Sequence, residues 1–113
     1  MSENCLFCKI ASKAIAAKVV AEDDGNLAFW DLNPQAPTHV LVIPKGHLGR
    51  IGEAQPQDQE RLGRLMLFAA QVAEQLGLKD YRLVINNGAG AGQTVFHLHL
   101  HLLAGREFSW PPG

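Results

Sequence analysis

The chain has 113 residues, of which 47% are hydrophobic, and its formal net charge is -1. A chain of this length can bury a sizeable core without disulfides or metals to hold it together. Its basic residues are scattered and balanced by acidic ones, which argues against nucleic acid as a partner. We therefore expect a single globular domain covering residues 1–113.

No feature of the sequence predicts membrane association or export. There is no apolar run long enough to span a bilayer. The N-terminus begins with Ser2, Glu3 and Asn4 and lacks the basic and apolar regions of a signal peptide. We expect a cytoplasmic protein, in which Cys5 and Cys8 are thiols or metal ligands and not a disulfide.

The first half of the chain predicts a short helix and three strands. Cys5–Ala16 has the apolar spacing of a short helix that buries one face. Lys18–Glu22 and Leu27–Asp31 predict two strands joined by the turn sequence Asp-Asp-Gly-Asn. After a loop with two prolines, the apolar run of His39–Pro44 predicts a central strand that is covered on both faces.

The second half predicts one long helix and two more strands. Pro56–Leu78 begins with a proline and acidic residues and has a glycine near its end, as helices do. Its apolar positions predict one buried stripe against the sheet, made of Leu62, Leu65, Met66, Ala69, Val72, Ala73 and Leu76. Tyr81–Asn86 and Val95–Leu103 predict the last two strands. Together these elements predict an α+β domain: a five-stranded, mostly antiparallel sheet with one long helix and a short N-terminal helix.

The last strand alternates between two faces of opposite character. Val95, His97, His99, His101 and Leu103 would share one face, and the other would bury Phe96, Leu98, Leu100 and Leu102. Three histidines in line are hard to explain as core residues, because each would need its own buried partner. The glycine-rich loop before the strand would let backbone N–H groups approach an anion.

Two kinds of site fit this pattern, and the spacing does not distinguish them. An HxH pair with a third ligand could bind a catalytic zinc. Alternatively, the imidazoles could act as nucleophile and acid–base groups on a phosphate held by the glycine loop. His39 begins the central strand and would approach the three histidines if both strands share one sheet. His47 lies just beyond the far end of that strand.

Four stretches of the chain match the motifs of one known family. They are His-Leu-His-Leu-His-Leu-Leu at 97–103, the segment from Phe29 to Lys45, Gly-Gln-Thr-Val at 92–95 and Trp-Pro-Pro-Gly at 110–113. The sequence thus resembles the histidine triad (HIT) superfamily, and in particular its Hint branch of histidine triad nucleotide-binding proteins. The resemblance covers essentially the whole chain and implies a HIT-like fold.

The resemblance implies a purine nucleoside phosphoramidase. His99 would be the nucleophile that attacks the α-phosphorus of a nucleoside 5′-phosphoramidate such as an AMP–amine conjugate. Water would then hydrolyse the nucleotidyl-histidine intermediate. An imidazole suits both steps, because it is nucleophilic near pH 7 and can leave again. His101 would bind the phosphate or assist the leaving group, and His97 and His39 would orient His99. The chemistry itself would require no cofactor.

The resemblance also assigns a phosphate-binding loop. Backbone N–H groups of Gly92 and Gln93, with the Thr94 hydroxyl, would hold the phosphoryl oxygens beside Val95. Asn86 would lie close to the same phosphate. Thr94 replaces a serine that is frequent in the family and keeps its hydroxyl.

The ribose and the base would lie beyond this loop. Asp31 would accept hydrogen bonds from the ribose hydroxyls, although an Asp before Asn-Pro is more often a turn cap. Asn33 stands where the Hint branch often has serine, which leaves its ribose contact open. The purine pocket would consist of Leu6, Phe7, Ile10, Phe29 and Leu32.

The cysteine pair allows two interpretations. Cys5 and Cys8 could be two buried thiols. By resemblance to bacterial members of the superfamily, they could instead hold a structural zinc together with His47 and His97. Such a closed site would leave His99 available for catalysis.

The C-terminal Trp110-Pro-Pro-Gly is a stiff, apolar segment that needs a surface to pack on. By resemblance to the Hint branch it would cross a two-fold interface to the partner's active site, which implies a homodimer. Alternative functions are a dinucleoside polyphosphate hydrolase of the same superfamily, a zinc hydrolase that uses the HxH pair, and a nucleotide-binding scaffold with little turnover.

Overall fold

A five-stranded antiparallel sheet forms the centre of the structure, a computed structural model that describes residues 4–113. In chain order the elements are α1 (Leu6–Ala11), β1 (Val19–Glu22), β2 (Asn26–Trp30), β3 (Thr38–Pro44), α2 (Gln59–Gln75), β4 (Arg82–Val84) and β5 (Leu100–Ala104). The strand order is β1-β2-β3-β5-β4, and each neighbouring pair is antiparallel. The predicted α+β architecture is confirmed.

Within residues 4–113, no helix combines the length and apolar character needed to cross a membrane. Ser2 and Glu3, on which the expected absence of a signal peptide rests, lie outside the described residues.

The ends of α2 follow from local backbone chemistry. A 3₁₀ turn, Pro56–Asp58, leads into the helix. At the other end Gly77 has φ +73, a conformation that favours glycine. The N–H groups of Gly77 and Leu78 donate to the carbonyls of Glu74 and Ala73, which is a Schellman motif. The helix therefore ends at Gln75, three residues before the predicted end.

One face of the sheet is covered by α2. The buried residues of this helix are Leu65, Phe68, Ala69, Val72 and Ala73. They pack on side chains from the inner strands, among them Val40, Val42, Leu98, Leu100 and Leu102. The prediction that Met66 is core was wrong, because its side chain is 46% exposed while Phe68 is only 5% exposed. The buried stripe is rotated toward Phe68 relative to the prediction, and Met66 lies beside it.

The opposite face of the sheet carries α1. Phe7, Cys8 and Ile10 of this helix pack against alternate residues of β2 and β3, namely Leu27, Phe29, Leu41 and Ile43. Because β3 has α2 on one side and α1 on the other, its central residues are buried on both faces, as predicted. The helix is shorter than the predicted Cys5–Ala16, and it covers only part of this face.

Only the second half of the predicted histidine strand is a regular β-strand. β5 begins at Leu100, where β3 and β4 are both close enough to pair with it. Before that point the chain follows the loop after β3, and the Leu98 N–H donates to the Leu48 carbonyl at 2.6 Å. Phe96, predicted to be buried, is 49% exposed. The prediction of a regular strand over residues 95–99 was therefore wrong.

Candidate active site

A cavity of about 480 Å³ opens on the α1 face of the sheet. It brings together most of the residues predicted for a nucleotide site: Leu6, Phe7, Ile10, Phe29, Asp31, Leu32, Asn33, His39, Thr94, Val95, His99 and His101. Leu32 is 95% exposed. The cavity thus has apolar walls from α1 and β2 and a polar side formed by histidines.

His99 is held by the backbone of its own segment. Its Nδ1 lies 2.7 Å from the His97 carbonyl oxygen. A carbonyl can only accept, so Nδ1 carries the hydrogen, and the other ring nitrogen, Nε2, has the lone pair of the neutral imidazole. Burial lowers the pKa of His99 below its usual value. His99 is therefore a neutral imidazole with one nitrogen available to an electrophile.

A hydrogen bond from His39 fixes the tautomer of His101. The Gln35 N–H donates to Nδ1 of His39 at 3.0 Å, so the hydrogen of neutral His39 must lie on Nε2. That nitrogen is 2.9 Å from Nδ1 of His101 and donates to it. The remaining hydrogen of neutral His101 then lies on Nε2. We expected His39 to orient His99, but its ring contact is with His101.

The charge state of this pair follows from its surroundings. Burial, with the neighbouring His99 and His39, lowers the pKa of His101 to about 4. Burial also lowers the pKa of His39, although the Asp31 carboxylate lies 3.4 Å from its Nε2 and opposes this. Both rings are therefore neutral near pH 7, which the tautomer assignment requires.

The side chain of His97 lies outside the cavity. Its Nδ1 is 3.3 Å from Cys5 Sγ and 3.5 Å from Cys8 Sγ. Its Nε2 donates to the Pro44 carbonyl at 2.7 Å, and burial lowers its pKa. His97 thus contacts His99 through its backbone carbonyl, whereas its imidazole belongs to the cysteine cluster.

The cysteine cluster has the composition and size of a zinc site. The ligand atoms of Cys5, Cys8, His47 and His97 all lie within 4.8 Å of one another. Zinc bonds of about 2.3 Å to sulfur and 2.0 Å to nitrogen place tetrahedral ligands about 3.5 Å apart. The Cys8 Sγ to His47 Nδ1 distance of 3.3 Å agrees with this spacing. The Pro44 carbonyl supplies the outer contact that metal-binding histidines usually have. These residues fit a structural zinc.

A second group of side chains with converging ligand atoms does not fit a metal site. Asp31, His39 and His101 bring one ligand atom each within 4.8 Å. The Gln35 N–H, however, occupies Nδ1 of His39, so its Nε2 carries hydrogen and has no lone pair for an ion. Neither convergence in the described part of the chain includes His99. The geometry therefore does not favour a catalytic zinc on the HxH pair.

Among the described residues, the N–H groups of the glycine loop that remain unpaired are not the predicted ones. The N–H groups of Gly92 and Gln93 donate to the carbonyls of Ala89 and Gly88, so both are already used within the loop. The backbone N–H groups of Thr94 and Val95, which line the cavity, donate to no other residue in the described range. The backbone N–H groups that remain unpaired in this range thus lie one or two residues beyond those predicted to hold an anion.

The Gln93 side chain shapes this loop from inside. Its amide oxygen accepts the Gly88 N–H, and its amide nitrogen donates to the carbonyls of Gly49 and Val95. Asn86, predicted near the phosphate, is not among the cavity residues, and its amide lies beside Gly92. Gln93 and Asn86 therefore contact the loop rather than the cavity.

Asp31 is a turn cap that also lines the cavity. One carboxylate oxygen accepts the Asn33 N–H at 2.7 Å, which is the turn cap. The other oxygen points toward His39, and the residue also lines the cavity. The cavity lining also contains residues that were not predicted for the site, namely Ile15, Ala16, Ala17, Lys18, Trp30, Gln35 and Leu41. The Gln35 N–H is a backbone group that leaves no side-chain signal, and Leu41 could have been inferred from its alternation with His39 along β3.

The family model of the HIT domain matches residues 12–108 of this chain. The chain belongs to the HIT family. An uncharacterized HIT-like protein of Synechocystis is 59% identical over the full length of both chains, and one of Synechococcus elongatus is 52% identical over the same extent.

Solved structures agree with this assignment. A HIT family hydrolase from Legionella pneumophila has a TM-score of 0.94 and 52% identity, covering 97% of this chain and all of that chain. A HIT family hydrolase from Clostridium thermocellum has a TM-score of 0.92 and 44% identity, covering 96% of each chain. A histidine triad nucleotide-binding protein from Candida albicans has a TM-score of 0.82 and 29% identity, covering 96% of this chain and 83% of that one. The two relatives named as HIT family hydrolases support the conclusion that this protein is a hydrolase.

Acid should destabilise the fold through His101. Because the pKa of His101 falls from 6.5 to about 4 on folding, the unfolded chain binds a proton between these values that the folded chain does not. The free energy of unfolding should therefore decrease as the pH falls from 7 to roughly 4.5. About 2 kcal/mol of that decrease should be absent in His101→Gln. Urea denaturation of both proteins at the two pH values measures the difference, and an equal decrease in both would contradict the prediction.

Proposed function

We propose that this protein is a purine nucleoside phosphoramidase, which hydrolyses the P–N bond of nucleoside 5′-phosphoramidates such as AMP–amine conjugates. The observation that carries the proposal is the state of His99, a buried neutral imidazole whose Nδ1–H is fixed on the His97 carbonyl. This arrangement leaves Nε2 as a nucleophile in a cavity that combines apolar walls with N–H donors.

The first step transfers the nucleotide to the protein. His99 Nε2 attacks the α-phosphorus, and the bond between phosphorus and the amine nitrogen breaks. The amine leaves with the electron pair of that bond and takes up a proton from solvent. His101, with its hydrogen on Nε2, donates a hydrogen bond to the leaving nitrogen or to a phosphoryl oxygen. The Nδ1 hydrogen bond to the His97 carbonyl stabilises the positive charge that develops on the His99 ring.

The second step releases the nucleotide. Water attacks the phosphorus, the bond to His99 Nε2 breaks, and the nucleoside monophosphate leaves with the oxygen of that water. The electron pair of that bond returns to Nε2, so His99 is again neutral with its hydrogen on Nδ1, and one proton of the attacking water passes to solvent. The lowered pKa of His99 keeps the ring neutral for the next cycle. An imidazole can serve as both nucleophile and leaving group, which is why one residue suffices for the covalent route.

The shape of the cavity suits a purine nucleotide. The phosphate would be bound by the Thr94 hydroxyl and by the N–H groups of Thr94 and Val95. Asp31 would accept from the ribose hydroxyls with the oxygen that is not used in the turn cap. The purine would lie between the apolar residues Leu6, Phe7, Ile10, Phe29 and Leu32. The Candida albicans relative, a histidine triad nucleotide-binding protein, supports a nucleotide as ligand.

A covalent adduct should be observable. After rapid mixing with adenosine 5′-phosphoramidate, intact-mass spectrometry should detect an adenylylated protein that disappears as AMP accumulates. The adduct should be absent in His99→Ala, which lacks the nucleophile and should lose at least about a thousandfold in turnover. Asp24→Ala, in the exposed turn between β1 and β2, is the control and should keep the adduct.

Other outcomes of this experiment favour the alternatives. Nucleotide binding without adduct or turnover would favour a scaffold. Faster cleavage of diadenosine tetraphosphate than of the phosphoramidate would favour the polyphosphate hydrolase. Loss of chemistry on chelation, with the fold intact by circular dichroism, would favour a zinc hydrolase.

We also propose a structural zinc bound by Cys5, Cys8, His47 and His97, on the strength of their converging ligand atoms. When bound, the metal would tie α1 to the loop after β3, and α1 carries part of the purine wall. The purified protein should contain one zinc per chain. Cys8→Ser should lose it, whereas Ser12→Ala, at the other end of α1, should retain it.

Removal of this zinc should cost stability, because the ion binds only the folded state. At a zinc concentration 100-fold above its dissociation constant the loss amounts to about 2.7 kcal/mol. Thermal unfolding with and without chelator measures it. Unchanged unfolding in Cys8→Ser, together with no zinc by elemental analysis, would favour two buried thiols instead.

We further propose a homodimer. β4 lies at an edge of the sheet, and Met66 and Leu67 expose apolar surface on α2, as Tyr81 does just before β4. Trp110 is 82% exposed at the C-terminus. An isologous contact that pairs these surfaces would bury them, and it would bring Trp110 toward the partner's cavity, as in the Hint branch.

Sedimentation should detect the dimer at micromolar concentration. Met66→Glu should shift the equilibrium toward monomer, because it places a charge in the apolar contact. Val19→Glu changes an exposed side chain on β1, at the other edge of the sheet, and should leave the dimer intact. A wild-type protein that stays monomeric throughout a dilution series would contradict the proposal.

A further inference from the structure

The segment after β5 packs against the loop that precedes β3. We call residues 105–109 the C-terminal arm and residues 33–37 the proline loop. Gly105 has φ +97, which favours glycine, and a Cβ at this position would lie 2.8 Å from Cβ of Pro37. The arm therefore crosses the proline loop of its own chain in direct contact.

Arg106 fastens the arm to the proline loop by a specific hydrogen bond. Its Nε donates to the Gln35 carbonyl at 3.1 Å, and its Nη1 donates to the Glu107 carbonyl at 3.0 Å. The guanidinium also lies 4.3 Å from the centre of the Phe108 ring. Three contacts thus restrict a side chain whose own position is exposed.

Arg82 contacts the same arm without reaching the proline loop. Its guanidinium lies 5.1 Å from the centre of the Phe108 ring, and its Nη2 donates to the Ser109 carbonyl at 3.0 Å. Arg82 and Arg106 therefore share Phe108, but only Arg106 bonds to Gln35. This difference provides a matched pair for experiment.

Gln35 connects the arm to the catalytic histidines. Its carbonyl accepts from Arg106, and its N–H donates to Nδ1 of His39. His39 in turn donates from Nε2 to Nδ1 of His101. A continuous series of three hydrogen bonds thus runs from the exposed arm to a histidine that lines the cavity.

We propose that Arg106 is a positioning residue: by holding the proline loop it keeps the Gln35 N–H on His39, and so keeps the hydrogen of His101 on the nitrogen that serves the leaving group. The catalytic part of this proposal rests on the proposed phosphoramidase reaction. The structural part, the tautomer of two histidines, does not.

Loss of the Arg106 contact changes which nitrogen of His101 can donate. With the Gln35 N–H displaced, neutral His39 can carry its hydrogen on Nδ1 and accept at Nε2 from Nδ1–H of His101. The Nε2 of His101 is then a bare acceptor and no longer donates to a departing amine. An amine is a poor leaving group and depends on that donor, whereas 4-nitrophenolate leaves readily without one.

The kinetic test compares two substrates with the same nucleoside and different leaving groups: adenosine 5′-phosphoramidate and adenosine 5′-(4-nitrophenyl phosphate). In Arg106→Ala, kcat for the phosphoramidate should fall about tenfold with KM nearly unchanged, and kcat for the ester should fall less than about twofold. Arg106→Lys, which can still donate to the Gln35 carbonyl, should recover most of the loss. Arg82→Ala should match the wild type on both substrates.

The structural test reads the tautomers directly. Long-range ¹H–¹⁵N spectra of the imidazoles should show both His39 and His101 with hydrogen on Nε2 in the wild type and in Arg82→Ala, and a mixture of tautomers in Arg106→Ala. This measurement needs no turnover, so it decides the positioning role even if the protein does not cleave P–N bonds. Unchanged tautomers in Arg106→Ala, or equal losses of kcat on both substrates, would overturn the proposal.

Discussion

The arrangement of the candidate active site depends on three contacts of one buried residue, His97. Its Nδ1 faces the cysteines that begin α1, its Nε2–H donates to the carbonyl at the end of β3, and its own carbonyl accepts from His99. These contacts connect the helix that forms the apolar wall, the central strand and the proposed nucleophile. Because His97 is fully buried, a change in any one contact has to be accommodated by the other two.

Burial gives His39, His97, His99 and His101 a common charge state, and their hydrogen-bond partners give them different donor and acceptor atoms. Desolvation lowers the pKa of His39, His97, His99 and His101, so each ring is neutral and has one donor and one acceptor nitrogen. The partner at one nitrogen then decides what the other can do. A backbone carbonyl leaves His99 with a lone pair, whereas the series that begins at Gln35 leaves His101 with a donor. Fixed backbone groups thus distinguish a proposed nucleophile from its proposed assistant.

The sheet can carry this polar site without losing its apolar core, because its two faces bury separate clusters of side chains. The α2 face buries a continuous apolar cluster that includes Leu98, Leu100 and Leu102. The α1 face is less completely covered, and the cavity occupies the remaining space. The alternation of histidine and leucine along residues 97–102 connects the two faces, since every second residue belongs to the core that supports the site.

Much of this organisation could be predicted from the sequence, because it depends on local periodicity. The spacing of α2, the apolar run of β3 and the motif at 97–103 were sufficient for the element types, the antiparallel α+β class and the family. Met66 and Phe96 were misplaced because periodicity specifies the direction of a helix face only approximately, and it does not specify the point at which neighbouring strands stop pairing.

What only the tertiary structure decided is the hydrogen bonding between distant segments. The sequence alone determined that imidazoles and glycines occur in the pattern of the HIT family and that a cysteine pair accompanies them. It did not determine that the His97 ring contacts the cysteines or that His39 donates to His101. Nor did it determine that the N–H groups of Gly92 and Gln93 are paired within the loop. The physical reason is that backbone donors and acceptors are the same at every residue, so their pairing carries no side-chain signature and is set by the packing of the whole chain.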